Sequence, residues 1–266
     1  MNFNVNKKSK LQPNELLDEA LKIIKIAQNN GITIRLFGGL AIYYLLKEKN
    51  NSFFSIYSSA RKADSESFFG DIDFVAYSKQ SKMINDLFLN QLKFEKDKVI
   101  NSLFGDKRRI YYHPYELYHI DIFFDKLEFN HKIDIQNRLE MSYPTLNFAD
   151  LLLSKLQVHY ITQKDIIDLQ GLIAIAHDIQ EPWKERVYQI LSDDWGFYYD
   201  AVNNLKAALS YTETLNEELQ VALTQIINEI INTPKTKNWI KRSKTGTNKK
   251  WWDDAVEEVK SYTPLS

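Results

Sequence analysis

Three aspartates and a glycine pair are the residues of this chain whose types and spacing best suit chemistry. Gly38 and Gly39 follow a short apolar segment, Asp71 and Asp73 stand one residue apart in an apolar run, and Asp121 lies in a later one. Alternate residues of a strand share a face, so Asp71 and Asp73 should point the same way. Converging carboxylates repel each other unless a cation lies between them. The pattern predicts a site where these acids hold two Mg²⁺ ions against the oxygens of a nucleoside triphosphate.

The glycine pair adds to this prediction through its backbone. A strand followed by two glycines and a helix lets the chain approach a phosphate closely, and a helix N-terminus favours anions. The chain contains neither G-x-G-x-x-G nor G-x-x-x-x-G-K-[ST], which disfavours a dinucleotide-binding Rossmann site and a P-loop. A glycine pair or an Asp-x-Asp run alone is most often only a turn or a solvated strand face. Their order along the chain is what points to function.

Hydrophobic periodicity predicts the elements that would position these residues. In the first half, the pattern predicts helices over 14–29, 40–46 and 81–92, strands over 32–37, 71–77, 109–112, 116–124 and 127–136, and a polar loop over 50–67. After Pro144, it predicts helices over 147–160, 163–177, 183–191, 197–209 and 215–231. We therefore predict an α+β fold, with a catalytic domain over 1–144 that has a mixed β-sheet and flanking helices, and a helical domain over 145–266.

The order of these motifs resembles that of the polymerase β-like nucleotidyltransferase superfamily. Its pattern is a hydrophobic strand, G-[GS], a helix, h-D-h-D-h and a later h-D-h. Here these correspond to Phe37-Gly38-Gly39, Asp71-Ile72-Asp73 and Ile120-Asp121-Ile122. The resemblance covers residues 14–125 well and extends more loosely to 178. Within the superfamily, the chain looks closest to small bacterial nucleotidyltransferases of the abortive-infection-toxin and antibiotic-modifying type.

This resemblance implies a nucleotidyltransferase-type sheet and a reaction. Such enzymes transfer a nucleoside monophosphate from an NTP to an acceptor hydroxyl and release pyrophosphate. By resemblance, Asp71 and Asp73 would hold the metals, and Asp121 would act as a base or as a third metal ligand. Toxin-type relatives act with a separately encoded antitoxin, so a partner protein is implied as well.

Two features depart from the pattern of the relatives. They often place an Arg and a Thr or Ser just before the Asp-x-Asp run, whereas here Arg61 lies ten residues upstream of Asp71. Arg61 remains a candidate for nucleotide binding. In addition, Ile133-Asp134-Ile135 is a second h-D-h motif that competes with Asp121. We favour Asp121 because its segment is more apolar and better suited to a central strand.

Lys155 lies within an otherwise apolar stripe of the predicted helix over 147–160. A lysine there requires an anion or a route to solvent. It could cross to the triphosphate, or it could snorkel or pair with an acid of the next helix such as Asp168. The resemblance favours phosphate binding, since these nucleotidyltransferases often carry a phosphate-binding Lys on the helix after the catalytic sheet.

Lys164 and Asp165 resemble part of a [KR]-D-x-x-D motif found after that helix in the same relatives. They are therefore candidate site residues, with Lys164 assigned to nucleotide binding. A structural interpretation also fits the same residues. Thr162 and Asp165 match a capping box, and Lys164 and Asp168 match an i,i+4 ion pair.

Composition narrows the class of protein. The chain has no cysteine, which excludes disulfides and thiolate metal sites and fits a reducing compartment. Its five histidines show no zinc-binding spacing. Residues 1–10 lack the apolar core of a signal peptide, and the longest apolar run, 36–46, is too short for a bilayer that needs about 20 residues. We therefore expect a cytoplasmic protein without a membrane partner.

Positive charge is concentrated near the C-terminus. The net charge is −1, yet the segment 235–250 contains only basic charged residues, with Trp239 inside it and Trp251-Trp252 after it. Cations beside aromatic rings can bind a phosphate backbone and stack on unpaired bases. In that case the acceptor could be RNA, such as a tRNA end. The alternative is a solvated helix face whose Trp residues dock on the protein.

The leading hypothesis from the sequence is a Mg²⁺-dependent nucleotidyltransferase, with an RNA end, a protein side chain or a small molecule such as an antibiotic as acceptor. A second hypothesis is a non-catalytic nucleotide- or RNA-binding protein with the same fold. The presence of all three acids argues against this second hypothesis. A third is a structural adaptor that uses the Trp-rich tail.

Overall fold

The computed structural model describes residues 11–49, 51–63 and 68–254. The predictions made for the N-terminal segment 1–10 and for part of the 50–67 loop therefore lie outside the described residues. Within the described ranges, no helix combines the length and the apolar character needed to cross a membrane.

The chain divides into two compact units that are each discontinuous in sequence. The first unit comprises the described residues within 1–45, 61–126 and 134–147, and the second those within 46–60, 127–133 and 148–266. The sequence instead predicts a single boundary near 145. The boundary between residues 147 and 148 lies close to that position, but two earlier segments, 46–60 and 127–133, belong to the helical unit.

A five-stranded mixed sheet organises the first unit. Its strands are β1 (Ile34–Phe37), β2 (Ile72–Ala76), β3 (Glu95–Lys96), β4 (Arg108–Tyr112) and β5 (His119–Phe124). Their order across the sheet is β1-β2-β5-β4-β3, with β2 and β5 parallel and the other neighbours antiparallel. Two further strands, β6 (Lys126–Glu128) and β7 (Lys132–Asp134), pair only with each other.

Helices flank this sheet in sequence. They are α1 (Pro13–Asn29), α2 (Gly38–Lys49), α3 (Asn51–Ala63), α4 (Ser81–Asp86) and α5 (Ile100–Leu103). Helix α1 follows from its sequence: a capping box joins Gln12 to Glu15 at its start, one stripe of apolar residues is buried, and Gly31 adopts a left-handed conformation after its end. The coarse prediction of a mixed sheet with flanking helices is confirmed.

The second unit is dominated by helices. They are α6 (Phe148–Leu156), α7 (Gln163–Ile175), α8 (Trp183–Asp193), α9 (Trp195–Ser210), α10 (Glu217–Asn232) and α11 (Lys237–Ser243). Every residue of α6 except Lys155 is buried. A helix that is buried nearly all round lies inside a core, and α6 fills that position in this unit.

The polar loop predicted over 50–67 is wrong over most of its length, because residues 51–63 form α3. Ser and Asn lower intrinsic helix propensity by only a few tenths of a kcal/mol each, and tertiary burial can override that preference. Phe53, Tyr57 and Arg61 follow one another at four-residue spacing and all three are buried. This four-residue spacing is typical of one face of a helix, but the serines of the segment favoured a loop in the prediction. The strand predicted over 127–136 is likewise divided into β6 and β7.

Candidate functional site

Carboxylates from β2 and β5 lie side by side on one face of the sheet. In the parallel ladder, Asp73 is aligned directly with Asp121. Neighbouring strands are about 4.8 Å apart, so aligned side chains on the same face are close neighbours. Asp71 immediately precedes β2 and follows the same alternation, while Ile72 between the two acids is fully buried. The structure therefore brings the three acids predicted from the sequence to one region.

Asp134 occupies a different place. It ends β7 in the separate two-stranded sheet, is exposed, and accepts a hydrogen bond from the backbone N–H of Gln136 at 2.9 Å. The second h-D-h motif thus does not enter the five-stranded sheet. Of the two candidates for the third acid, Asp121 is the one placed beside Asp73.

Asp121 is held by an arginine that sequence reasoning missed. Arg108, on β4, donates from Nε to Oδ1 of Asp121 at 2.8 Å and to Oδ2 at 3.0 Å, and its Nη2 also donates to Oδ2. Both residues are almost completely buried, and the guanidinium lies over the ring of Phe123 at 5.3 Å. Such fork-like contacts fix the orientation of a carboxylate and offset its charge. The sequence feature that could have revealed Arg108 is its alternation with Ile110 in β4, which places both residues on the face of Asp121.

His119 is the second residue that joins the site without having been singled out. It lies on β5 two residues before Asp121, and its Nε2 is 3.2 Å from Oδ2 of Asp71. The His119 side chain is buried, whereas Asp71 remains partly exposed. Sequence alternation puts His119 on the same face as Asp121, but only the sheet register shows that it meets Asp71.

The glycine pair is packed against two other candidate residues. Gly38 has a φ of +69°, and a Cβ there would collide with the carboxylate of Asp73. A Cβ on Gly39 would collide with the guanidinium of Arg61, which lies over the ring of Phe69 at 5.1 Å. Gly38 requires glycine for its left-handed conformation, whereas a side chain in place of Gly39 would displace the guanidinium of Arg61. Gly38, Gly39, Asp73 and Arg61 are therefore neighbours.

The oxygen donors of this region suit Mg²⁺. Among the described residues, no group of three or more His, Asp or Glu side chains is close enough to hold a metal ion. Protein sites for Mg²⁺, however, commonly use one or two carboxylates and complete the shell with water and substrate phosphates. Asp71 and Asp73 fit that donor set, and Arg108 holds the carboxylate of Asp121 in position beside Asp73.

In the second unit, Lys155 forms ion pairs. Its Nζ lies 2.9 Å from Oδ1 of Asp165 and 2.8 Å from Oδ2 of Asp168, and the hydroxyl of Tyr57 donates to Oδ1 of Asp168 at 2.8 Å. These contacts correspond to the ion-pair alternative for Lys155. Asp168 thus contacts both Lys155 and the hydroxyl of Tyr57.

Asp165 serves two purposes at the start of α7. It completes the capping box with Thr162, because the Thr162 side chain accepts a hydrogen bond from the backbone N–H of Asp165. Burial disfavours the ionised carboxylate, but the charge of Lys155 and hydrogen bonds from Thr162 and Lys155 outweigh it and lower the pKa of Asp165 to about 2. The capping box predicted from the sequence is confirmed, and the same acid also holds Lys155.

Replacing Lys155 with Met is expected to lower the free energy of unfolding by about 3–5 kcal/mol at neutral pH, since two carboxylates would lose the ammonium that both contact. The pKa of Asp165 is depressed in the folded state, so its contribution is present above the unfolded value near 4 and is lost as the pH falls towards about 2. The difference in the free energy of unfolding between the wild type and Lys155→Met should therefore shrink below about pH 4. Urea unfolding at a series of pH values measures it, and a difference that stays constant with pH would contradict the assignment.

Comparison with known proteins does not place this chain in a family. No protein-family model matches it, and no curated protein matches it with significance.

Proposed function

We propose that this protein is a Mg²⁺-dependent nucleotidyltransferase, which moves a nucleoside monophosphate from an NTP to an acceptor hydroxyl and releases pyrophosphate. The observation that carries the proposal is the parallel register that sets Asp73 beside Asp121, with Gly38 packed on the carboxylate of Asp73. The mixed sheet with flanking helices is compatible with a nucleotidyltransferase-type fold. The resemblance of the motif order supplies the reaction class.

In this proposal, Asp71 and Asp73 hold the metal. Mg²⁺ bound there would offset the charge of the phosphate oxygens during an in-line displacement. His119 orients Asp71 through its contact with the carboxylate. Arg108 orients Asp121, which supplies the third carboxylate, either towards the acceptor hydroxyl or as a further ligand.

The phosphates would lie against the glycine pair. The backbone of Gly38 and Gly39 begins α2, and a helix N-terminus offers N–H groups to anions. Arg61 packs on Gly39, and a guanidinium recognises phosphate oxygens through two parallel hydrogen bonds. We assign Lys155 to the stability of its own unit, because two carboxylates already engage it. The role of Lys164 in nucleotide binding stays a prediction.

Radiolabel transfer tests the proposed reaction. Purified protein with Mg²⁺ is supplied with each α-labelled NTP in turn and with total RNA, lysate proteins or aminoglycosides as acceptors. We expect label to enter one acceptor class, and to be lost with a chelator or in the Asp71→Asn/Asp73→Asn double variant. Label transfer that persists in that variant, or no transfer to any acceptor, would refute the proposal. The acceptor and an antitoxin partner remain predictions from the resemblance.

A further inference from the structure

The acid-free segment 235–250 presents a stripe of lysines on one helix face. Lys237, Lys241 and Lys244 follow one another at i, i+4 and i+7 along α11 and its C-terminal end, and all three are exposed. With a rise of about 1.5 Å per residue, their ammonium groups are spaced roughly one helical turn apart. A row of exposed cations at this spacing suits an equally regular row of phosphates.

Aromatic and cationic contacts hold α11 in place. Trp239 packs edge-on against Tyr198 with ring centroids 5.2 Å apart. Arg242 lies over the ring of Trp195 at 4.8 Å and donates to the carbonyl of Lys249 at 2.9 Å. The inward-facing residues thus dock the helix, as the structural alternative for this segment predicts, while the lysines on its outer face remain exposed. A surface already ordered loses little entropy when it binds a ligand.

The chain after α11 is anchored by a buried carboxylate. Asp200 accepts hydrogen bonds from Nε1 of Trp251 at 3.0 Å, and it bonds to the rings of His159 at 3.0 Å and His131 at 2.8 Å. The ring of His159 also stacks on Trp252 with centroids 3.7 Å apart. Residues 251 and 252 are therefore fixed on the second unit.

This anchoring places an aromatic pair at the end of the basic segment. Trp252 contacts Tyr160 edge-on at 6.2 Å, and Tyr160 is 65% exposed. Lys250 lies over the ring of Trp252 at 5.2 Å and pairs with Asp254. Near the start of α11, the carboxylate of Asp193 accepts hydrogen bonds from the side chains of Thr236 at 2.7 Å and Asn238 at 3.3 Å.

We infer that Lys237, Lys241, Lys244, Tyr160 and Trp252 form a binding surface for single-stranded RNA, here named the α11 surface. Its lysines would contact consecutive phosphates, and the exposed ring of Tyr160 would stack on an unpaired base. RNA is favoured because its loops and ends present unstacked bases that aromatic side chains can bind. The inference concerns binding alone and does not depend on the proposed transfer reaction.

Fluorescence anisotropy with a labelled single-stranded RNA of mixed sequence, without NTP or Mg²⁺, tests the α11 surface. Each phosphate contact with a single strand contributes about −0.7 to the slope of log K against log salt, so Lys237→Ala/Lys241→Ala/Lys244→Ala should make that slope shallower by about 2. Tyr160→Ala should weaken binding about tenfold and leave the slope unchanged.

A matched triple variant controls for the loss of charge. Lys25, Lys82 and Lys98 are exposed lysines of the first unit, and replacing all three with Ala removes the same charge elsewhere. We expect that variant to bind RNA as the wild type does. Absence of RNA binding would overturn the inference, as would equal weakening by both triple variants or an unaltered affinity in Tyr160→Ala. Equal affinity for single-stranded DNA or for anionic vesicles would overturn the assignment to RNA.

Discussion

Replacing Asp73 with Asn is expected to lower the rate of nucleotide transfer by about a thousandfold or more. Asn preserves the shape that Gly38 packs against, but it removes the negative charge that would hold Mg²⁺. Metal ions supply several kcal/mol of transition-state stabilisation in such reactions, and about 4 kcal/mol corresponds to a factor of a thousand in rate. Initial rates at saturating NTP, with the acceptor identified by radiolabel transfer, measure the effect. Circular dichroism and thermal unfolding establish that the variant is folded.

Asp134→Asn is the matched control for this substitution. Asp134 also lies in an h-D-h motif, but it is exposed at the end of β7 and outside the five-stranded sheet. The variant should retain the wild-type rate. Loss of activity in Asp134→Asn with normal activity in Asp73→Asn would show that the catalytic carboxylates have been assigned to the wrong strands.

Arg108→Met is expected to lower the free energy of unfolding by about 3–5 kcal/mol. The substitution preserves much of the apolar stem but leaves the carboxylate of Asp121 buried without the guanidinium that contacts both of its oxygens. Removing one partner of a buried ion pair is costly because the remaining charge is neither hydrated nor compensated. Urea denaturation at neutral pH, followed by circular dichroism, measures the change.

The double variant Arg108→Met/Asp121→Leu separates charge from packing. Replacing a buried ion pair by apolar residues of similar size is often neutral, so the double variant should recover most of the stability lost in Arg108→Met. It should nevertheless be inactive, because the third carboxylate is absent. A double variant no more stable than Arg108→Met would contradict the explanation based on the buried charge.

Much of the sheet and its acidic face could be predicted from alternation. The spacing of Asp71 and Asp73 determines that they share a face, and the apolar residues around Asp121 indicate a buried strand. Alternation determines which face a side chain occupies, but it does not determine which strand lies beside it. The contacts of Arg108 with Asp121 and of His119 with Asp71 depend on pairings between distant segments, so they could not be read from local patterns.

The helical half shows the same limit for Lys155. The helical spacing placed Lys155 in an apolar stripe, and Asp168 of the next helix was one of its expected partners. Asp165 was expected to cap α7 or to belong to the site, and its two oxygens contact both the Thr162 hydroxyl of the cap and the ammonium of Lys155. In α3, the local preference of Ser and Asn pointed to a loop, whereas the burial of Phe53 and Tyr57 stabilises a helix.

The parallel pairing of β2 with β5 also bears on the order in which the first unit can fold. Arg108 and Asp121 are 13 residues apart on adjacent antiparallel strands, whereas Asp73 and Asp121 are brought together across a much longer stretch of chain. Closing the longer loop costs about 1 kcal/mol more in chain entropy. A hairpin of β4 and β5 can therefore form first and bring Asp121 to the sheet with its charge already compensated. The repulsion expected when two carboxylates meet is then smallest at the step where β5 docks beside Asp73.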